Sequence, residues 1–155
     1  MGKLRRIMFV MVFFGCLFVG SMPEVNTYVE KGCKLSDPKN INFGINASAG
    51  RYAGIIPPYA KTWGTYCSEI GFSSNASQNV FFSASTDCHS ITFYKSFETT
   101  TAARKNETIV HEMGHVLGLD HCQTSKNSIS VMRKTGFNGK AYPLSDDISG
   151  ISAIY

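Results

Sequence analysis

The sequence predicts a single α+β domain, on the basis of its length and of two kinds of residue pattern. The chain has 155 residues, which suits one domain, and 43% of them are hydrophobic, enough for a packed core. Short apolar or alternating runs typical of strands occupy 41–46, 80–84 and 90–94. Helical spacings of apolar residues occur in 57–66, 106–117 and 145–155.

The first 21 residues have the features of a signal peptide. Three basic residues precede an apolar run over 7–19, which is shorter than the ~20 residues of a comfortable membrane span. Small residues stand just before Met22, so we expect cleavage there. The protein would then be secreted; the alternative is an uncleaved leader that anchors it to the membrane.

The net charge of the mature chain argues against nucleic-acid and membrane partners. Removal of residues 1–21 takes away three basic residues and no acidic ones, so the net charge falls from +4 to +1. We therefore expect no nucleic-acid partner and, after leader cleavage, no membrane contact. Residues 22–39 are polar and are expected to form an irregular N-terminal extension before a domain over 40–155, and a monomer is expected.

The strongest signal is a histidine motif in the stretch TIVHEMGHVLGLDH, residues 108–121. His111 and His115 are four residues apart, so on a helix they lie on one face and can direct two imidazoles at one point. Gly118 can end this helix because glycine adopts positive φ, and the resulting turn could return His121 to the same point. Three imidazoles leave a fourth position for water, as in a catalytic zinc site.

Glu112 lies beside the first histidine, within reach of a water on the same ion, and is the candidate general base. One alternative is a helix whose histidines are ordinary core or surface residues. The glycine and the third histidine, at fixed offsets, argue against it. The other alternative is a zinc helix that has lost catalysis, and the presence of Glu112 argues against that.

The motif resembles that of the metzincin zinc endopeptidases, and two further stretches agree. Ser130-Val131-Met132 resembles the Met-turn, in which a methionine, here Met132, lies beneath the metal. The segment LSDDISGI, residues 144–151, resembles the opening of the last helix in the matrixin branch. The resemblance implies a metzincin-like (zincin) fold: a twisted mixed β-sheet, an active-site helix, and a small C-terminal subdomain that ends in a helix.

The resemblance also implies a function. It predicts a secreted zinc endopeptidase in which His111, His115 and His121 bind one zinc ion and Glu112 acts as general base on a protein or peptide substrate. The alternative is a secreted zinc-containing module that binds peptides without cutting them. A cleavage assay with and without a chelator separates the two.

Three features depart from the matrixin pattern. The cysteine-switch sequence P-R-C-G-x-P-D is missing, and Cys33 lies in KGCKLSDP, without its flanks. Met132 is followed by RKTGF rather than by Pro-x-Tyr. No calcium loop or second zinc site is recognisable, so nothing supports a calcium requirement.

Four cysteines remain after the leader, an even number that predicts two disulfides in a secreted chain. Three connectivities are possible. We favour Cys67–Cys88, which brackets one segment, and Cys33–Cys122, which would tie the N-terminus to the site. Cys122 could instead be a zinc ligand, but a thiolate would fill the position that catalysis needs open.

The sequence around the motif predicts the packing of its helix. The helix is expected to begin near Asn106, an N-cap residue type, after a Thr-rich loop over 95–105. Its buried stripe is predicted to be Val110, Met113, Gly114 and Leu117. A helix from Pro57 carries a second stripe, interpreted as core: Tyr59, Ala60, Trp63 and Tyr66.

A long loop over 123–143 is expected to frame the substrate cleft, because such loops in small domains are usually functional. Phe137 and Tyr142 are candidate groups of a substrate pocket or of the oxyanion side of the site, and the alternative for both is ordinary loop packing. Ser145 is expected to cap the last helix, with two aspartates in its first turn.

Overall fold

A computed structural model of the chain describes residues 28–73, 78–81, 91, 93, 95–122 and 128–155. These residues form a mixed α+β fold, as predicted. The expected leader, Cys88, and most of the predicted strands at 80–84 and 90–94 lie outside the described residues. Within the described ranges, none of the helices combines the length and apolarity needed to cross a bilayer.

The strands of the described residues form two small sheets. β1 (Val29–Glu30) pairs antiparallel with β4 (Leu119–Asp120), and β2 (Ile41–Gly44) pairs in parallel with β3 (Gln78–Phe81). β2 agrees with the strand predicted at 41–46, whereas β1 falls in the range expected to be irregular. A strand of two residues is too short to show the alternation of apolar and polar residues by which strands are predicted. It forms because the fold brings it beside β4.

Five α-helices make up most of the remaining regular structure of the described residues: α1 (Ile56–Ala60), α2 (Thr62–Tyr66), α3 (Lys95–Thr99), α4 (Ala102–Val116) and α5 (Ser145–Ile154). A short 3-10 helix spans Ala47–Tyr52. α5 begins at Ser145 with Leu144 as its N-cap residue, so the predicted capping role of Ser145 is wrong by one position. Asp147 makes this start possible, because its carboxylate accepts a hydrogen bond from the Leu144 N–H (2.8 Å).

The predicted loop over 95–105 is wrong, since α3 and the first turn of α4 occupy it. α4 begins after Thr101, whose hydroxyl accepts a hydrogen bond from the Arg104 N–H at 3.3 Å, and not near Asn106. Thr101 is also a favoured N-cap residue type. The AARK run that follows it is strongly helix-forming, so the helix starts at the earlier cap.

The core is centred on α4. Its predicted buried stripe is confirmed, because Val110, Met113 and Leu117 have no exposed surface and Gly114 is buried. Trp63 of α2 packs against this helix, and its indole N–H donates a hydrogen bond to the Val110 carbonyl (2.9 Å). This contact ties α2 to the turn of α4 that carries the first histidine of the motif.

The stripe from Tyr59 to Tyr66 is core only in part. Ala60 and Trp63 are fully buried and Tyr59 is half-buried, whereas Tyr66 is 47% exposed, so its placement in the core is wrong. The helix breaks at Lys61 between α1 and α2, and this break interrupts the continuous helical face that the stripe assumed.

The predicted disulfides are also wrong. Cys67 and Cys122 carry free, buried thiols, so neither Cys67–Cys88 nor Cys33–Cys122 forms. The Cys122 thiol donates instead to the Ser130 hydroxyl at 3.3 Å. Connectivity depends on long-range placement rather than on spacing along the chain, which is why bracketing a segment was a poor guide.

Candidate active site

The fold brings the three histidines of the motif together. His111 and His115 lie one turn apart on α4, which ends at Val116. Gly118 has φ +99°, the conformation predicted for it, and the chain turns there into β4. His121 follows β4, and its Nε2 lies 3.2 Å from the Nε2 of His111 and 3.2 Å from that of His115.

Two backbone carbonyls orient the rings on α4. The Nδ1–H of His111 donates to the Val131 carbonyl (2.7 Å), and the Nδ1–H of His115 donates to the Leu119 carbonyl (2.7 Å). A carbonyl only accepts, so each Nδ1 carries the proton and each Nε2 keeps its lone pair. Burial lowers the pKa of His111 to about 4 and also lowers that of His115, which favours neutral imidazoles.

The donor set fits a metal ion. The three ligand atoms all lie within 4.8 Å of one another. Two imidazole nitrogens bound to one tetrahedral zinc ion at ~2.0–2.1 Å would be ~3.3 Å apart. The two 3.2 Å spacings agree with that value. A carbonyl that accepts from the second ring nitrogen is also the usual outer partner of a metal-binding histidine.

Glu112 directly follows the first histidine of the motif on α4. It is half-buried, and burial raises the pKa of its carboxyl, while the positive charge of Lys31 opposes the rise. It lines a cavity of about 250 Å³, whose walls also include Phe97 and Phe137. A carboxylate in this place can accept a proton from a water beside the cluster.

The predicted Met-turn lies directly beneath α4. Met132 is buried, and a Cβ added to Gly114 would come within 2.3 Å of the Met132 sulfur, so glycine is required at this contact. Asp147 of α5 holds the turn, because its carboxylate accepts from the Ser130 hydroxyl (2.5 Å) and from the Val131 N–H (2.9 Å). The matrixin-like segment of α5 therefore supports the peptide that orients the first histidine.

A buried ion pair lies one turn before the first histidine. Arg133 Nη2 donates to Glu107 Oε1 at 2.5 Å, and both side chains are 1% exposed. The same carboxylate accepts from the Asn138 N–H (3.0 Å) and the Gly139 N–H (2.8 Å). Sequence reasoning did not identify this pair. The position of Glu107 four residues before His111 on the buried helix was the available signal.

The two aromatic candidates of the long loop differ in their surroundings. Phe137 lines the same cavity as Glu112, which agrees with its predicted role as a pocket group. Tyr142 stacks on Tyr66 instead, with ring centroids 5.4 Å apart, and is not among the described residues that line this cavity. This stacking fits the packing alternative for Tyr142.

The comparisons with known proteins agree with this geometry. Residues 63–155 match the family model of the matrixins, peptidase family M10. The crystal structure of myroilysin, a metzincin, is similar over 87% of this chain and 96% of that chain, with a TM-score of 0.52 and 14% sequence identity. At this identity the likeness concerns the fold alone, and it confirms the predicted metzincin-like architecture. No curated protein sequence matches this chain significantly.

Proposed function

Because this chain belongs to the matrixin family of metallopeptidases, we propose that it is a secreted zinc endopeptidase acting on protein or peptide substrates. The observation that carries the proposal is the convergence of three histidine Nε2 atoms on one point with a half-buried carboxylate beside them. A structural zinc site would be closed by a fourth protein ligand. The cluster of the described residues contains only three.

Each residue has a definite part in the proposed reaction. His111, His115 and His121 would hold one zinc ion. When bound, zinc supplies Lewis acidity for the scissile carbonyl and lowers the pKa of a coordinated water toward ~7. Glu112 accepts the proton of the attacking water and passes it to the leaving amine. Met132 packs beneath the histidines without contributing a ligand.

The proposal also includes export of the protein and cleavage of its signal peptide. We infer that residues 1–21 are removed and that the mature protease begins at Met22, with its catalytic domain over 40–155 and as a monomer. Intact mass of the exported protein tests this inference: a mass that includes residues 1–21 would favour the anchored alternative.

The decisive experiment combines zinc analysis with cleavage. Purified 22–155 is expected to bind one zinc ion and to cleave an unstructured protein such as casein, with cleavage lost in the presence of a chelator and restored by zinc. Zinc bound at one equivalent without any cleavage would favour the silent peptide-binding module. Absence of bound zinc in folded protein would overturn both.

A further inference from the structure

The N-terminal extension is anchored to the catalytic part of the fold. Its strand β1 pairs antiparallel with β4, which leads to the third histidine of the motif. The Lys31 N–H donates a hydrogen bond to the Gly118 carbonyl (2.7 Å), and the Leu35 N–H donates to the Tyr155 hydroxyl (2.9 Å). Leu35 is buried in the core. The extension is therefore packed onto the domain, and the two hydrogen bonds fix the backbone around Lys31.

These anchors place Lys31 at the end of α4 that carries the histidine motif. Lys31 follows Glu30, which pairs with Leu119, and the Leu119 carbonyl is the one that orients the His115 ring. Glu112 and His115 are three residues apart on α4, so they lie on the same face of the helix. Three helical residues rise only about 4.5 Å, so a lysine side chain that starts at the turn after α4 can approach both groups.

The electrostatics of the site agree with this placement. Burial raises the pKa of Glu112, and the positive charge of Lys31 opposes that rise. Burial lowers the pKa of His115, and the same charge lowers it further. One ammonium that acts on both groups lies near the helix face that they share. In the proposed reaction, a bound peptide would meet the metal and the general base at this face.

The Lys31 ammonium is available to a ligand. Lys31 is half-buried, whereas Lys34 in the same extension is exposed. None of the salt bridges between described residues involves Lys31. Because a partly buried charge is screened less than one in bulk water, an added carboxylate would interact with it more strongly. An ammonium offers donors and no acceptor, so the complementary ligand group is an anion.

We propose that Lys31 is a specificity-determining residue that binds an acidic side chain of the substrate next to the bond to be cut. The proposal rests on the proposed protease function. A peptide that lies across Glu112 and the histidines passes within reach of this ammonium, and a glutamate or aspartate in that peptide would form an ion pair with it. The N-terminal extension is thereby part of the substrate site.

Matched peptides test the preference. Each pair carries glutamate or glutamine at one position, and the pairs cover the residues on either side of the cleaved bond, which the product masses identify. Zinc-loaded wild-type protein at low ionic strength is expected to have a kcat/KM about threefold to fivefold higher for the glutamate peptide at one of these positions, as a single partly exposed ion pair allows. Added salt should reduce this preference. Equal kcat/KM values at every position would overturn the proposal.

Substitution of Lys31 tests whether its side chain causes the preference. Lys31→Met keeps an unbranched side chain without the charge and should cleave the two peptides equally, and Lys31→Glu should favour the glutamine peptide. Both variants are expected to fold, because the backbone N–H makes the anchoring bond.

Lys34→Met is the matched control. It removes a charge from the same extension, but the Lys34 ammonium donates to the Ile154 carbonyl (3.5 Å) at the end of α5. This variant should keep the wild-type preference. A preference retained in Lys31→Met, or lost equally in Lys34→Met, would contradict a specific role of Lys31.

Binding measurements separate this proposal from the protease function. In zinc-loaded Glu112→Gln, calorimetry should show tighter binding of the glutamate peptide, and the additional substitution Lys31→Met should abolish the difference. Wild-type protein that cleaves both peptides equally overturns the role of Lys31 and leaves the protease function. Zinc-loaded wild-type protein that cleaves no peptide overturns the protease function; tighter binding of the glutamate peptide would then still support recognition by Lys31, and equal binding would overturn it.

Discussion

At the scale of single residues, the site depends on which ring nitrogen carries the proton. The carbonyls of Val131 and Leu119 accept from Nδ1 of His111 and His115, and this fixes both Nε2 lone pairs toward His121. The two carbonyls belong to segments outside α4. The orientation of the rings is therefore set by the tertiary fold.

Replacing Glu112 with glutamine tests its role as general base. The amide keeps the size of the side chain but cannot accept and return a proton, so kcat is expected to fall by about 10²- to 10⁴-fold while one zinc ion stays bound. Peptide cleavage and zinc content measured on the same sample check this. Full activity of Glu112→Gln would contradict the assigned role.

At the scale of elements, the packing and the end of α4 depend on close contacts that only glycine allows. Gly114 lets the helix approach Met132 and Trp63. Gly118 ends it with positive φ, and a Cβ there would lie 2.5 Å from the Cys33 carbonyl oxygen. The position of the histidines therefore depends on two residues that contribute no chemistry.

The variant Gly114→Ala should overpack the space under α4. The added methyl would meet the Met132 sulfur at 2.3 Å and the Trp63 ring at 2.9 Å. Such overpacking costs about 1–3 kcal/mol of unfolding free energy, and we expect weaker zinc binding as well. Denaturant unfolding and zinc titration measure both. Gly54→Ala, where nothing lies within 4 Å, is the matched control and should leave both unchanged.

Gly118→Ala should displace the third histidine. Alanine at positive φ costs about 1–2 kcal/mol, and here it also collides with the Cys33 carbonyl. Gly32→Ala separates the two effects, because Gly32 has φ +79° and no neighbour within 4 Å of an added Cβ. We expect only Gly118→Ala to reduce zinc affinity. Equal zinc affinities in the two variants would argue against the collision.

At the scale of the whole molecule, metal binding and folding are coupled. His111 and His115 lie on α4, whereas His121 follows β4, so an ion on all three joins elements that are linked by a glycine turn. A ligand that binds only the folded chain stabilises it by mass action. The stability of the domain should therefore depend on zinc.

Zinc removal should lower the melting temperature. At a free zinc concentration of 1,000 times Kd, binding contributes about 4 kcal/mol, which for a chain of this size corresponds to a shift on the order of 10 °C. Differential scanning calorimetry with and without chelator measures it, and added zinc should restore the original value. A melting temperature independent of zinc would contradict the coupling.

The local part of the site could be predicted from the sequence, and the long-range part could not. His111, His115 and Gly118 follow from helical spacing and from the conformational freedom of glycine. The Glu107–Arg133 pair joins residues 26 positions apart, and no periodicity reveals such a pairing. α3 was missed for a related reason: its threonine-rich surroundings have weak helix propensity, and the burial of Phe97 outweighs it.

Trp63 is the one tryptophan of the chain, and it lies fully buried against the turn of α4 that carries the first histidine of the motif. All indole fluorescence of the protein thus originates within a few ångströms of the catalytic helix. Loosening of that helix would expose the ring to solvent and move its emission to longer wavelength. The emission wavelength of Trp63 should therefore report on zinc binding and zinc release without an added dye.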